Sequence, residues 1–417
     1  MNELPSPSLK EALRYWHRLG WVSFGGPVAQ VAMMHEDLVL ERQWVDEEQF
    51  RRALTLCTIL PGPEAQQLAT YLGWALNGSV GGLCAGLLFI LPSIFILIIL
   101  AYLLVNFGQI SFISHFLFGL KPAVFALVAF ATFRLTKKYL LQEKELWLAM
   151  VAFLMALLHV SFTLIFLGSI LTGFLWWRRH KPPGFYDQLG FKFTPRDVRD
   201  SVRVIVLVAI SWLFPMVILS RLGLQYQWFR QLSMFFTGTA LLSFGGAYTV
   251  LPYVWSGVTA QHWLSNNDMM NALALGETTP GPLIMIVAFV GFVATWNHIH
   301  TVDIHHGWLA LIGGLIAVWY TFLPSFLGVL LGAPLVERLG ALPDFKYVFS
   351  ALFAAVVGMM SLLVLRTLGS MVHAGHWQVN AIQLTLGVLA FLVLWKKPHI
   401  PVWAVVMACG LVGVVVS

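Results

Sequence analysis

The chain has 417 residues, of which 59% are hydrophobic and only 11% charged, with a mean hydropathy of +0.79. An ordinary soluble domain carries about 25% charged residues, so this composition excludes a globular enzyme with a water-facing surface. The formal charge of +6 would suggest nucleic acid in a soluble chain; here Lys and Arg cluster between apolar stretches, as membrane orientation signals do, and no nucleic-acid partner is expected.

The N-terminal stretch MNELPSPSLKEALRYWHRLG is polar and amphipathic, without the apolar run or small-residue cleavage site of a signal peptide. It opens a segment, 9–42, interrupted by FGGP at 24–27. The next segment, 47–77, is interrupted by PGP at 61–63 and then carries Glu64, Gln66, Gln67 and Tyr71. Each break leaves arms of about 15 residues, which at about 1.5 Å per residue reach only the bilayer middle. Simple crossings would put Arg42, Arg51 and Arg52 outside. Two re-entrant helical hairpins would keep them on the side of the N-terminus, and that is the expected form, with full spans as the alternative.

An apolar run at 83–105 follows, then a helix carrying Lys121 and Arg134 and closed by Lys137 and Lys138. A basic, proline-bearing linker, 176–203, precedes an apolar run at 201–220. The pattern then restarts with SFGG at 243–246 and PGP at 280–282, and continues through apolar runs at 308–331, 348–365 and 377–395. The stretch NHIHTVDIHH at 297–306 is a tempting metal motif, but without a second ligand cluster it reads better as a solvated loop. Cys57, Cys84 and Cys409 are scattered in apolar segments and read as packing residues, so neither a disulfide framework nor a redox cofactor is expected.

The restart is a duplication. VSFGGPVAQV (22–31) returns as LSFGGAYTVL (242–251) at an offset of 220, and LPGPEA (60–65) returns as TPGPLI (279–284) at 219. FILPSIF (89–95) returns as TFLPSFL (321–327), and Arg134 meets Arg366, both at 232. Four matches in one order establish a repeated unit. The expected fold is an all-α polytopic membrane protein, with one repeat over 1–177, a linker and helix over 178–221, and a second repeat over 222–417. Of thirteen membrane-entering segments, nine to thirteen would cross. The unpaired helix makes the second repeat start on the other side, so the repeats are expected to be inverted, as in many secondary transporters. Positive charge places the N-terminus, the loop after Arg134, the linker and the Lys396–Lys397 loop in the cytoplasm, and the loops near 106–111, 159–161 and 298–306 outside.

The breaks have a physical consequence. Pro61 and Pro63 end one half-helix and start another, leaving free N–H groups and a positive dipole end at membrane depth. Backbone of that kind survives only where it is buried in protein or lines a wet cavity. Four such starts, at Gly25–Gly26–Pro27, Gly62–Pro63, Gly245–Gly246 and Gly281, are expected to converge and to bind a small oxyanion. Glu64 opposes this, and either caps its own helix or acts as a proton-linked gate. Gln66, Gln67 and Tyr71 either donate to the oxyanion or tie helices together. Arg134 and Arg366 either contact the ligand or anchor the interface. Lys121 reads as structural or lumenal, with an anion contact as the alternative, and His17, His35, Glu36 and Asp37 as interfacial rather than proton-carrying.

FGGPVAQ followed by PGPEAQQLATYLGW, with SFGGAY and TTPGP as second copies, resembles the chromate ion transporter family in its long, two-domain form. By that resemblance Gly25, Gly26, Pro27, Pro61, Gly62, Pro63, Glu64, Gln66 and Gln67 fall on the motifs, with Gly245, Gly246, Pro280, Gly281 and Pro282 as their counterparts. Ala247 replaces Pro27 and Leu283 replaces Glu64, so the halves are not expected to bind substrate equivalently. The resemblance implies export of chromate, with sulfate as the look-alike ion, across a prokaryotic inner membrane, conferring chromate resistance. A sulfate importer and an anion channel remain as alternatives; a chromate-reducing enzyme is disfavoured by the dispersed cysteines. Coupling to protons or another ion, and a homodimer, stay open.

Overall fold

In a computed structural model, residues 7–180, 195–221, 223, 225–244, 246–299, 305–339, 346–372, 377–397 and 399–416 are described. The first half comprises α1 (Leu9–Val22), α2 (Gly26–His35, prolonged by a π-helical turn Glu36–Glu41), α3 (Glu47–Ile59), α4 (Glu64–Phe107), α5 (Ser111–Tyr139), α6 (Glu143–Leu157) and α7 (Phe162–His180). α8 (Pro195–Arg221) connects to α9 (Tyr226–Leu242), α10 (Ala247–Ala260), α11 (Asn266–Glu277) and, after a 3-10 turn Leu283–Met285, α12 (Ile286–His298). α13 (His305–Leu339), α14 (Lys346–Met371), α15 (Trp377–Lys396) and α16 (Val402–Val416) complete the chain. Among the described residues six helices are long and apolar enough to cross a membrane: α4, α5, α8, α13, α14 and α15. The protein is thus an all-α, multi-pass membrane protein, with α7 running three residues past the expected repeat boundary at 177.

Capping residues explain several helix starts. Ser8 accepts from the Glu11 amide, Asp46 from the Gln49 amide, and Ser265 and Asp268 form a reciprocal box on α11. α4 is not one rod. At Asn77 and Gly78 the dihedrals leave the helical region, and arms 64–76 and 79–107 fold back on each other. Glycines permit that approach: a Cβ on Gly73 would lie 2.7 Å from Gly81 O. The second half repeats the device between α12 and α13, where a Cβ on Gly291 would lie 2.6 Å from Gly313 O.

The interrupted segments re-enter. In the second half, Asn297 Nδ2 at the end of α12 donates to Trp263 O in the α10–α11 turn at 3.0 Å. Trp228, at the start of α9, donates to Thr295 at 3.1 Å and meets the Trp263 ring edge-on at 5.0 Å. The start of α9, the α10–α11 turn and the end of α12 therefore share one level, which a pair of straight spans could not produce. In the first half Asn77 Nδ2 reaches Pro7 O at 3.2 Å, and Arg42 in the α2–α3 turn lies 5.2 Å from the Tyr15 ring of α1. The hairpins account for Arg42, Arg51 and Arg52 lying at the level of the chain start.

The halves are inverted. α6 starts where α14 starts: Ser350 donates to Glu145, and Lys144 Nζ lies 5.1 Å from the Tyr347 ring. The far end of α14, at Arg366 and Ser370, lines a cavity with the α6–α7 turn. α14 thus runs parallel to α6, whereas α5, its counterpart in the first repeat, turns directly into α6 and runs antiparallel to it. Tyr139, at the end of α5, stacks on Phe353 near the start of α14 at 3.8 Å, confirming the opposite sense.

Candidate functional site

The breaks of the two halves meet by backbone hydrogen bonds. Gly62 N–H donates to Ser243 O at 2.7 Å, and Gly281 N–H donates to Ser23 O at 2.9 Å. Each PGP glycine therefore binds the serine carbonyl of the SFGG turn in the other repeat. An antiparallel bridge between Pro61 and Phe244 extends the first of these contacts. The two SFGG turns are built alike. Phe24 N–H bonds to Val22 O at 2.9 Å and Phe244 N–H to Leu242 O at 3.1 Å, turning both serine carbonyls outward from their helices.

The serines of the two LPS sequences close the crossing from the opposite half. Ser93 donates to Pro280 O, while Ser325 Oγ donates to Gln66 Oε1 at 2.7 Å. Glycine is required at both crossing points. Gly62 has φ +138° with Ser325 Oγ only 2.8 Å from where a Cβ would sit, and Gly281 has φ +96° with Ser93 Oγ overlapping that position. Gly25, Gly26 and Gly246 also have positive φ. Gly245 lies outside the described residues.

Four helices start at this crossing: α2, α4, α10, and the 3-10 turn leading into α12. None has a side-chain cap, in contrast to α1, α3 and α11 at their outer ends. Their first-turn amides and positive dipole ends thus gather at one place without a built-in side-chain acceptor. Gly62, Pro63, Gly246 and Gly281 are buried, Gly26 and Pro27 are half-buried, and Gly25 is exposed, with Val28 in the first turn of α2 at 67%. The start of α2 is the open one.

The polar side chains at the crossing are largely engaged with protein. Gln66 Nε2 donates to Thr70 at 2.9 Å and Gln67 Nε2 to Pro61 O at 2.9 Å. Gln30, which the sequence reading did not single out, donates through Nε2 to Ser23 O at 2.9 Å and Gly281 O at 2.7 Å. Gln30 Oε1 and Gln67 Oε1 are buried without a hydrogen-bond partner among the described residues. Tyr71 is fully buried, its ring edge-on to Trp74 at 5.9 Å. Glu64 accepts no amide of its own helix. Among the described residues its one hydrogen bond comes from Thr58 Oγ1 at 3.3 Å, and that hydroxyl also reaches Leu54 O at 2.9 Å.

The two arginines lie at opposite ends of the molecule, and among the described residues neither hydrogen-bonds to the crossing. Arg134 is exposed, its guanidinium 5.7 Å from the Phe130 ring. Arg366 lines a cavity of about 870 Å³ between the α6–α7 turn, α10 and α14, together with His159, Ser161, Tyr253, Ser256 and Asn266. The deepest α10 residue in that wall, Pro252, is five positions from the start of α10, about 8 Å along the helix. Lys121 is half-buried with Nζ 5.6 Å from the Phe118 ring. His298 stacks on Trp228 at 3.9 Å and His306 on Trp296 at 4.2 Å, while His300 and Asp303 lie outside the described residues. No metal-holding group of three His, Cys, Asp or Glu occurs among the described residues.

One buried acid was missed. Glu277, the last residue of α11, is 9% exposed and accepts a 2.6 Å hydrogen bond from the Tyr248 hydroxyl. The repeat aligns Glu277 with Thr58, so comparing halves gave no acidic counterpart. The signal available was a lone carboxylate in ALALGETTPGP, three residues before the break.

The family profile described as Chromate transporter matches residues 10–174 and 230–414, one match in each half. The chromate transport protein of Cupriavidus metallidurans is 28% identical over 419 residues, covering 100% of this chain and 95% of its own. That of Pseudomonas aeruginosa is 29% identical over 420 residues, covering 98% and 92%. A probable chromate transport protein of Synechococcus elongatus is 27% identical over 427 residues, covering 99% and 96%. No solved structure matches.

Proposed function

The chain belongs to the chromate transporter family, and from that premise we propose that it is a secondary transporter carrying chromate out of a prokaryotic cell across the cytoplasmic membrane, thereby conferring chromate resistance. One observation carries the proposal to the substrate site: the reciprocal pairing of Gly62 with Ser243 and Gly281 with Ser23 gathers four uncapped helix starts from two inverted halves. Such starts bind tetrahedral oxyanions through backbone amides without any lysine. Sulfate has the same shape and charge and is the expected competitor.

The end of the molecule that holds α1, the α2–α3 turn, the α5–α6 turn and Lys396 is rich in Lys and Arg and is assigned to the cytoplasm. The Arg366 cavity then opens outside, as an anion vestibule leading toward the start of α10. The close-packed crossing, filled by Gln30, Gln66, Gln67, Ser93 and Ser325, is the barrier between the two aqueous phases. Alternating access follows if one hairpin pair swings against the other, and the open start of α2 beside the buried start of α10 is the asymmetry such a motion would exchange. With the cytoplasm negative, a dianion moving outward gains about 2.3 kcal/mol per charge per 100 mV, hence about 4.6 kcal/mol. Export requires no nucleotide.

The test is chromate flux in proteoliposomes under an imposed potential, with sulfate as competitor. Saturable flux toward the positive side supports the reading. Flux only against the potential would make the protein an importer, and conductance far above carrier turnover would make it a channel.

A further inference from the structure

Transport of a dianion leaves unexplained the one carboxylate buried deepest beside the crossing. Glu277 ends the half-helix α11, and its only hydrogen-bonding partner among the described residues is the Tyr248 hydroxyl at 2.6 Å. An ionised carboxylate at that depth is costly unless a cation faces it. The C-terminal end of α11 adds the negative pole of the helix dipole, which also opposes a negative charge there. Among the described residues, no titratable group on the elements packed against α11 makes an ion pair with the carboxylate. Glu64 on α4, Lys121 on α5, Arg366 on α14 and Cys409 on α16 make no ion pair or hydrogen bond with it, and His298 stacks on Trp228 at the far end of α12. Arg134 on α5 places its charge within reach of the Tyr248 hydroxyl but makes no ion pair with the carboxylate.

Location makes the pair more than a structural hydrogen bond. Tyr248 is in the first turn of α10, two residues beyond Gly246, where an uncapped helix start faces the crossing. It lies about one helical turn inward from Pro252, the deepest α10 residue of the Arg366 cavity. The carboxylate is therefore hydrogen-bonded to a first-turn side chain of the helix start proposed to hold the anion, and that residue is one turn from the Arg366 cavity.

We propose that the Tyr248–Glu277 pair is the proton-binding site coupled to the anion. The Glu277 carboxylate takes up one proton from solvent, forming an O–H bond, as the dianion docks at the start of α10, and releases it to the opposite phase when the anion leaves. Like charges at close range in a low-dielectric site favour joint binding of anion and proton. One proton then travels with each dianion, leaving a net charge of minus one. Export stays downhill with half of the electrical driving force. This inference rests on the transport reading given above.

The experiment uses purified full-length protein in proteoliposomes, in mildly alkaline buffer where chromate is the dianion. An imposed potential of about 59 mV is worth about tenfold in concentration ratio per net charge. Wild type is expected to accumulate chromate about tenfold on the positive side, and Glu277→Gln, carrying no proton, about a hundredfold. With no potential, a proton gradient of one unit should drive about tenfold accumulation in wild type and none in Glu277→Gln. Chromate exchange at equal concentrations needs no net proton movement and should survive in Glu277→Gln, which shows that the variant folds. If Glu277→Gln loses exchange, Tyr248→Phe decides: a displaced pH profile of exchange supports the pair, and an unchanged one overturns it. A hundredfold wild-type ratio, or proton-driven accumulation persisting in Glu277→Gln, also overturns the inference while leaving chromate transport intact. No chromate flux in wild type would instead sink the transport reading itself.

Discussion

Gly281→Ala is the most exacting perturbation of the crossing. The residue has φ +96°, donates its N–H to Ser23 O at 2.9 Å and accepts from Gln30 Nε2 at 2.7 Å. An L side chain at positive φ costs about 1–2 kcal/mol. The added methyl would also overlap Ser93 Oγ and lie 3.2 Å from Ser93 Cβ. Ser93 can turn away only by giving up its hydrogen bond to Pro280 O, so overpacking adds about 1–3 kcal/mol. The expected total is about 2–5 kcal/mol. Gly26→Ala is the matched control, because Gly26 has φ +78° with nothing within 4 Å of the added atom. It should cost only the backbone part, about 1–2 kcal/mol. Combining Gly281→Ala with Ser93→Ala should recover part of the overlap, giving a coupling of about 1–2 kcal/mol in a double-mutant cycle. Detergent-micelle unfolding with SDS, followed by tryptophan fluorescence, reads these differences. Equal destabilisation by Gly281→Ala and Gly26→Ala, or strict additivity with Ser93→Ala, would refute the argument that the crossing is sterically closed at Gly281.

Other consequences are open to measurement. Arg366→Ala should weaken chromate uptake into the vestibule, raising KM about tenfold or more with a smaller effect on kcat, by loss of a charge-assisted contact; Arg366→Lys should restore part of it. Glu64→Gln removes a negative charge from the uncapped start of α4 and should tighten anion binding about two- to fivefold, as measured by sulfate inhibition of chromate flux. If the hairpins re-enter, Gln43→Cys in the α2–α3 turn should react with an impermeant thiol reagent from the same side as the chain start, and Gln261→Cys in the α10–α11 turn from the opposite side. Labelling of both from one face would contradict the inversion.

The architecture was legible because it rests on local chemistry. FGG and PGP interrupt helices wherever they occur, their recurrence at a near-constant offset reveals the duplication, and arms of about 15 residues are too short to span. Arg42, Arg51 and Arg52 then chose hairpins over spans. The contacts that build the crossing were not legible. That Gly62 would bind Ser243 and Gly281 would bind Ser23 depends on how inverted halves pack, which no local pattern encodes. Gln66 and Gln67 show the same limit: their amides suit an oxyanion, yet in the fold they donate to Thr70 and Pro61 O. Glu277 escaped notice because the duplication drew attention to paired positions, and its partner position is Thr58. A buried charge present in one half only is invisible to a search for symmetry.

The most direct test of the account is an anomalous-scattering map at the chromium absorption edge, recorded from crystals grown with chromate. The account places the chromium peak within hydrogen-bonding reach of first-turn amides at the crossing, around residues 64–66 or 247–249. A peak confined to the Arg366 vestibule, or one enclosed by side-chain cations with the four helix starts unoccupied, would contradict it.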